Sequence, residues 1–273
     1  MAADSPPRHI LSLSGGKDSA ALAIYMRDRV PEMEYVFNDT GKELPETYQY
    51  LDRIEDYLGK RVIRLNADQG FDHWIEVYGG MIPSNHRRWC TRMLKLKPFE
   101  QYVGTVPVLN YVGLRADEAR TGYISQKPNI MPIYPFRDDG LKLADIKEIL
   151  VSAGVGMPPY TDWGRTRSGC FFCFYQQKIE WVRLKEKHPN LYEEAKQYEK
   201  PNQSNGNVFT WASGESLAEL ERPERMESIR REHEKRRLEA VERGANLTLE
   251  QVFAARSNNE VAEDPSACAI CTI

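Results

Sequence analysis

The chain has 273 residues, 41% of them hydrophobic and 28% charged, with 37 basic and 40 acidic side chains and a formal net charge of -3. Such a length buries a sizeable core without staples, and the composition excludes a disordered or collagen-like chain. A weakly acidic balance also excludes global attraction to nucleic acid or anionic membrane, so any such contact has to come from a local basic patch.

Residues 1–8 are short and polar, and no apolar run approaches the length of a membrane span or a signal-peptide core, so a cytoplasmic protein without membrane association is expected. Residues 9–13 form a short apolar strand ending in Ser14-Gly15-Gly16-Lys17-Asp18-Ser19, and 20–26 reads as a helix. A second strand at 35–37 closes on Asn38-Asp39-Thr40-Gly41. Apolar residues at Tyr48, Leu51, Ile54 and Leu58 then mark a helix over 45–58. Strands follow at 61–65 and 108–112, and helices at 143–150 and 176–199. This alternation predicts an α/β fold, a doubly wound and mostly parallel sheet covered on both faces. Beyond 200 the character changes. Residues 201–206 are polar and turn-rich, and 219–243 is a charge run whose i,i+4 pairs, such as Glu227 with Arg231, suit a solvated helix. The expected division is 1–200 for a nucleotide-binding, cysteine-bearing domain and 201–273 for a small helical C-terminal region with a cysteine-containing tail.

Two glycines at the end of a buried strand let the backbone turn sharply and aim its amides at an anion, while the following helix presents its positive end to the same place. Ser14, Ser19 and Lys17 add hydroxyl donors and a positive charge, as nucleotide phosphates require. The spacing is not that of a Walker loop, which disfavours a kinase or GTPase. The alternative is a tight turn without a ligand.

The hexapeptide SGGKDS resembles the signature of the PP-loop, or N-type, ATP pyrophosphatases, which have the adenine nucleotide alpha-hydrolase-like fold. The resemblance continues in Asp39-Thr40-Gly41 with Pro45-Glu46-Thr47, in Trp89-Cys90-Thr91 with Leu94-Lys95 and Pro98, and in Gly113-Leu114-Arg115-Ala116-Asp117-Glu118 with Arg120. These segments are similar to the phosphoadenylylsulfate (PAPS) reductase branch, and the likeness covers roughly residues 9–200. It implies a nucleotide site formed by Ser12, Ser14, Gly15, Gly16, Lys17, Asp18, Ser19, Asp39, Thr40, Gly113 and Arg115, with Lys17, Asp18 and Arg115 carrying catalysis on ATP. Asp117 and Glu118 either orient Arg115 and Arg120 or bind Mg2+.

The five cysteines are Cys90, the pair Cys170 and Cys173, and the pair Cys268 and Cys271. A CxxC at a glycine turn, with Cys90 in a matching family position, implies three ligands of an iron-sulfur cluster of the [4Fe-4S] type. A structural zinc site completed by His86 or His188, or a plain redox pair, are the other readings. No acidic residue interrupts 81–99, which carries Arg87, Arg88, Arg92, Lys95 and Lys97, and Arg165 and Arg167 precede the CxxC. This basic patch suits either nucleotide phosphates or a nucleic-acid backbone. Trp89, Trp163 and Phe171 serve either base stacking or packing.

Within the superfamily the chain is most similar to the Dnd/Ssp-type enzymes of DNA phosphorothioation. That likeness implies cleavage of ATP to AMP and pyrophosphate to adenylate an acceptor, DNA, for sulfur incorporation. A cysteine desulfurase would be the sulfur donor, other DNA-modification subunits the further partners, and Cys268 and Cys271 a sulfur relay. An adenylylsulfate or PAPS reductase is the alternative, although the tail lacks the Glu-Cys-Gly motif and Cys90 has no vicinal Cys. A non-catalytic nucleotide-binding scaffold and a transfer-RNA thiolase are the others.

Overall fold

The computed structural model describes residues 6–119, 122, 125, 127–200 and 208–245. Five strands, β1 (Arg8–Leu13), β2 (Glu34–Asp39), β3 (Ile63–Asn66), β4 (Val108–Tyr111) and β5 (Ile130–Ile133), form one sheet in the order β3-β2-β1-β4-β5. Every pairing is parallel, with Leu13 opposite Phe37 and Leu11 opposite Tyr111 fixing the register around the central strand. Alternation along β1 sends Leu11 and Leu13 to one face and Ile10 to the other, and both faces are dry. On the first face lie helices α1 (Lys17–Met26) and α2 (Pro45–Leu58), which bury Ala20 and Leu51 against the sheet. The other face is closed farther along the chain. There α3 (Phe71–Val77) is followed by a helical run in three parts, α4 (Trp89–Thr91), a π-helical turn (Arg92–Leu96) and α5 (Lys97–Val103), with Phe99 and Val103 packed on Ile10, Val36 and Val108. A parallel sheet needs this double cover, because its strands have no solvated face.

After β5, a short α6 (Pro135–Asp138) leads into α7 (Leu143–Ser152), which returns to the α1 face. A 3-10 turn, Pro159–Trp163, then opens the loop that carries the CxxC. The helix expected over 176–199 is two, α8 (Lys178–Lys187) and α9 (Pro189–Gln197). Pro189 has no N–H to donate and forces His188 out of helical geometry, to φ -133 and ψ 67, so the chain breaks there. Helices α10 (Leu217–Leu220) and α11 (Pro223–Ala245) follow, α11 over the charge run expected to be helical. A second core, separate from the sheet, gathers Phe71 and Trp89 with Phe172, Trp181 and Tyr192, and Trp211, Leu217 and Ile229 from beyond residue 200 belong to it. Its centre is aromatic: the Phe71 and Phe172 rings lie 4.4 Å apart, and Phe172 stacks on Trp211 at 4.9 Å. No helix among the described residues is long and apolar enough to cross a membrane.

Strand β5 and the helical run around Cys90 were not legible in the sequence. The strand has only four residues and a proline, Pro132, tolerated at a sheet edge where one side needs no donor. The helical run contains Pro98, which has no N–H for the turn before it, and the run passes through a π-helical turn just ahead of that proline.

Candidate functional site

Chain order reverses at β1, since the sheet grows from β1 through β2 to β3 on one side and through β4 to β5 on the other. In an open α/β sheet the carboxyl ends of the two strands at such a switch leave a crevice, the usual ligand position. The β1–α1 turn and the segment after β4 meet there. Gly15 turns the chain at φ +70, and a Cβ on it would lie 2.5 Å from Thr47 Cγ2 at the start of α2. Gly16 has Ser168 Oγ at 2.9 Å from the place of its missing Cβ, so a side chain there would have to displace that hydroxyl. No side chain caps the first turn of α1, which leaves its amides and the positive end of the helix directed at the crevice.

The loop is held by its hydroxyls. Ser14 N donates to Ser19 Oγ at 3.1 Å, Ser19 Oγ donates to Gly16 O at 3.2 Å, and Ser168 Oγ reaches Ser14 Oγ at 3.3 Å. Ser12 lies below the mouth: it is fully buried and donates to Asn110 Oδ1 on β4 at 3.0 Å, a bond between sheet side chains. Beside it Asn38 is buried with neither side-chain amide atom hydrogen-bonded, and Asn110 Nδ2 is likewise unmatched. Sequence reading placed Asn38 in the turn after β2 and passed over Asn110, since a polar residue inside an apolar strand carries no motif.

From the other side of the switch, Gly113 approaches the first turn of α1 so closely that a Cβ would stand 2.9 Å from the carbonyl of Asp18 and 3.1 Å from Ser19 N. Two residues on, Arg115 is buried and its Nη1 meets Asp18 Oδ1 at 2.7 Å, its Nε meets Asp117 Oδ1 at 2.9 Å, and Glu118 Oε1 lies 3.3 Å from Nη1. Asp117 and Glu118 thus orient Arg115. Arg120 lies outside the described residues. Lys17 Nζ is 3.4 Å from Asp18 Oδ2. Burial pushes the Asp18 carboxyl up, but the Lys17 and Arg115 charges outweigh it and hold the group below the ordinary carboxylate value of 3.8. A depressed folded-state value stabilises the fold fully above the unfolded-state value and is lost as pH falls through the folded one. Asp18→Asn is therefore expected to flatten the acid limb of stability below about pH 4. Urea midpoints of both proteins from pH 2 to 7 check this; parallel curves would contradict it.

At the end of β2, Asp39 Oδ1 accepts from Tyr48 OH at 2.7 Å and from Gly41 N at 2.9 Å. Thr40 Oγ1 donates to Glu43 Oε1 at 3.0 Å and lies 3.2 Å from Cys170 Sγ. Phe171 N donates to Lys42 O at 2.9 Å, which ties the CxxC loop to the β2–α2 connection. Burial, then the Glu43 charge, raises the Cys170 thiol well above the ordinary value, and burial also raises Cys173 and Glu43. Both cysteines are held as thiols. Cys90 packs at the edge of the aromatic core, and among the described residues no three His, Cys, Asp or Glu side chains are gathered so as to hold a metal ion. As placed, Cys90, Cys170 and Cys173 are not gathered into the expected cluster site: Cys170 Sγ faces Thr40 and Glu43 instead. A zinc site with His188 does not form either, since His188 Nε2 is 2.7 Å from Glu46 Oε1, which also accepts from Trp163 Nε1 at 3.1 Å. Trp89 and Phe171 are buried in the aromatic core and unavailable for stacking. Cys268 and Cys271 lie outside the described residues.

A guanidinium sets the shape of the CxxC loop. Arg165 is 1% exposed and donates to Cys170 O at 2.7 Å, Gln176 Oε1 at 2.8 Å, Arg167 O at 3.0 Å and Gly169 O at 3.3 Å. The sequence placed Arg165 in the basic patch; the fold makes it internal.

A parallel sheet with an uncapped helix and a glycine turn at its switch point is an α/β architecture that suits an anionic ligand at that crevice. The chain belongs to the phosphoadenosine phosphosulfate reductase domain family, whose model matches residues 8–174. Relatives include an uncharacterized protein of Methanocaldococcus jannaschii, 28% identical over 67% of this chain and 40% of that one. The adenosine 5'-phosphosulfate reductase of Streptomyces coelicolor is 25% identical over 59% of this chain and 70% of its own length. The chain spans under half the length of the two Methanocaldococcus jannaschii proteins it matches, 40% and 45%. Among solved structures, the phosphoadenylyl-sulfate reductase of Candida auris is 14% identical, with a TM-score of 0.49 over 61% of this chain and 82% of that one. The U34-tRNA thiolase of Methanococcus maripaludis, solved with its [4Fe-4S] cluster, is 12% identical, with a TM-score of 0.41 over 71% of each chain.

Proposed function

We propose that the chain is an adenylyl-nucleotide enzyme of sulfur metabolism that cleaves ATP to AMP and pyrophosphate and so activates an acceptor, DNA, for sulfur incorporation. The observation that carries the nucleotide reading is the close approach of Gly113 to the first turn of α1 beside the Gly15-Gly16 turn, where Gly113 and Gly15 admit no side chain without strain and backbone amides face the crevice. Phosphates would sit on those amides with Lys17 alongside, and Mg2+ would arrive with them, since that ion usually keeps its waters and the substrate's phosphates as ligands. Arg115, locked by Asp18, Asp117 and Glu118, positions the Gly113 segment.

Activation by adenylation converts a poor leaving oxygen into one that departs as AMP when the outer sulfur of a cysteine persulfide attacks, and a second cysteine thiol then cleaves the S–S bond, freeing the thiolated acceptor and leaving a disulfide for a thiol reductant to reopen. A cysteine desulfurase would supply that sulfur, Cys268 and Cys271 would pass it on, and further modification subunits would complete the assembly in the cytoplasm. Cys170 and Cys173 are half-buried, with Cys170 Sγ against Thr40 and Glu43, so the tail cysteines are taken as the attacking group in their place. A second reading, reduction of adenylylsulfate or PAPS, is favoured by the relatives that carry reductase names.

One anaerobic preparation tests both. Pyrophosphate and AMP released from ATP, with no sulfite from either sulfonucleotide, supports the activation reading; sulfite formation with thioredoxin as reductant overturns it in favour of a reductase.

A further inference from the structure

Ser168 belongs to no motif and lies far along the chain from the segments that form the nucleotide crevice, yet its hydroxyl stands at the mouth of that crevice. Ser168 Oγ donates to Ser14 Oγ at 3.3 Å and lies 2.9 Å from the place a Gly16 Cβ would take. Ser14, Gly16 and Ser168 are all half-buried, so a ligand entering the crevice reaches them.

The backbone on either side fixes this hydroxyl. Buried Arg165 donates through Nε to the Arg167 carbonyl at 3.0 Å and through Nη2 to the Gly169 carbonyl at 3.3 Å, so one guanidinium holds the carbonyls of both neighbours of Ser168. Gly169 then turns the chain at φ +129, a conformation open to glycine and strained for other residues. With the neighbouring carbonyls turned inward, the Ser168 side chain is left on the side of the glycine turn. The same segment also holds that turn from behind, where buried Tyr160 donates its hydroxyl to Gly15 O at 3.3 Å. In a planar trans peptide the C=O and the N–H point opposite ways, so the Gly16 amide is directed away from Tyr160 and toward the half-buried mouth.

The hydroxyls at the mouth are loosely joined. The Ser168–Ser14 contact of 3.3 Å and the Ser14–Ser19 contact of 3.1 Å are both long for O–H···O bonds. A hydroxyl proton rotates to suit its partner, and a bond to an ionised oxygen is about twice as strong as one between neutral groups. A phosphate oxygen at the mouth therefore draws the Ser168 proton from Ser14 onto itself with no movement of the chain.

We infer that Ser168 contacts the phosphate chain of the nucleotide, as a third hydroxyl beside Ser14 and Ser19, and that Arg165 is the residue that positions it. This role rests on the nucleotide reading above and deepens it: the phosphates lie between the glycine turn and the loop that leads into the CxxC, two residues from Cys170.

Calorimetric titration of the full chain with ATP and, separately, with inorganic pyrophosphate tests it, with a thermal melt of each protein. Ser168→Ala is expected to bind both ligands about tenfold more weakly, the effect of losing one hydrogen bond to a charged acceptor. Its melting temperature stays with that of the parent, because the half-buried Ser14 hydroxyl loses only a long bond. Ser228→Ala, which removes a hydroxyl bonded to Glu232 on α11, changes neither affinity. In an Arg165→Lys background, titrated well below its melting temperature, Ser168→Ala costs no further affinity; additive losses would remove Arg165 from the positioning role. A Ser168→Ala protein that binds pyrophosphate as the parent does overturns the inference and leaves the nucleotide reading standing. Weaker binding that comes only with a lower melting temperature assigns Ser168 to the fold and overturns it as well. A parent that binds neither ATP nor pyrophosphate removes the nucleotide reading and this role together.

Discussion

Gly113→Ala is expected to weaken nucleotide binding by roughly ten- to a hundredfold while the protein stays folded. The added methyl would meet the Asp18 carbonyl and the Ser19 amide, both main-chain groups of a helix seated in the core, at 2.9 and 3.1 Å. A flexible side chain could swing aside; a helix backbone cannot. The segment after β4 must therefore retreat, and Arg115, bonded to Asp18 at 2.7 Å, retreats with it. Overpacking costs about 1–3 kcal/mol, which at about 1.4 kcal/mol per factor of ten sets the range. Calorimetric titration with ATP, alongside a thermal melt, measures both quantities. Wild-type affinity in the folded variant would remove the Gly113 approach from the nucleotide site and, with it, the main support for that site.

The second large effect is expected at Arg165. Replacing it with leucine keeps much of the volume but leaves the Cys170, Gly169 and Arg167 carbonyls and Gln176 Oε1 without the donor they share. Hydrogen bonds from a charged donor are worth about 1.5–3 kcal/mol each and are not additive, so a loss of about 3–5 kcal/mol is expected. For a chain of this size that is a fall of about 6–20 °C in melting temperature. Arg165→Lys should recover little, because one ammonium cannot reach four acceptors spread around a planar fork. Because the same carbonyls shape the turn that holds Cys170 half-buried, iodoacetamide should label Cys170 faster in the variant than in the parent. A variant within about 1 kcal/mol of the parent, with Cys170 labelled no faster, would show that the loop is held by its aromatic packing instead.

The architecture was legible because its signals are local. A strand followed by two glycines and a helix needs only neighbouring residues to be read, and β1, α1, β2, α2 and α7 lie where apolar periodicity placed them, within a residue or a few at each end. Where a local signal was weak, the reading failed: a four-residue edge strand with a proline has too few positions to show a period, and His188-Pro189 hid one helix break inside a longer pattern. Sequence by itself therefore determined the parallel α/β class, the position of the glycine turn at a strand end, and the gathering of basic residues around the cysteine segments. Only the tertiary structure decided what those residues face. It turned Arg165 inward to shape a loop, put Asp117 and Glu118 on Arg115, and set Cys170 against Thr40 and Glu43, with no metal-holding group among the described residues. The physical reason is that charge and hydrogen-bond partners are chosen at distances of a few ångströms between segments far apart in sequence, and no periodicity along the chain encodes them.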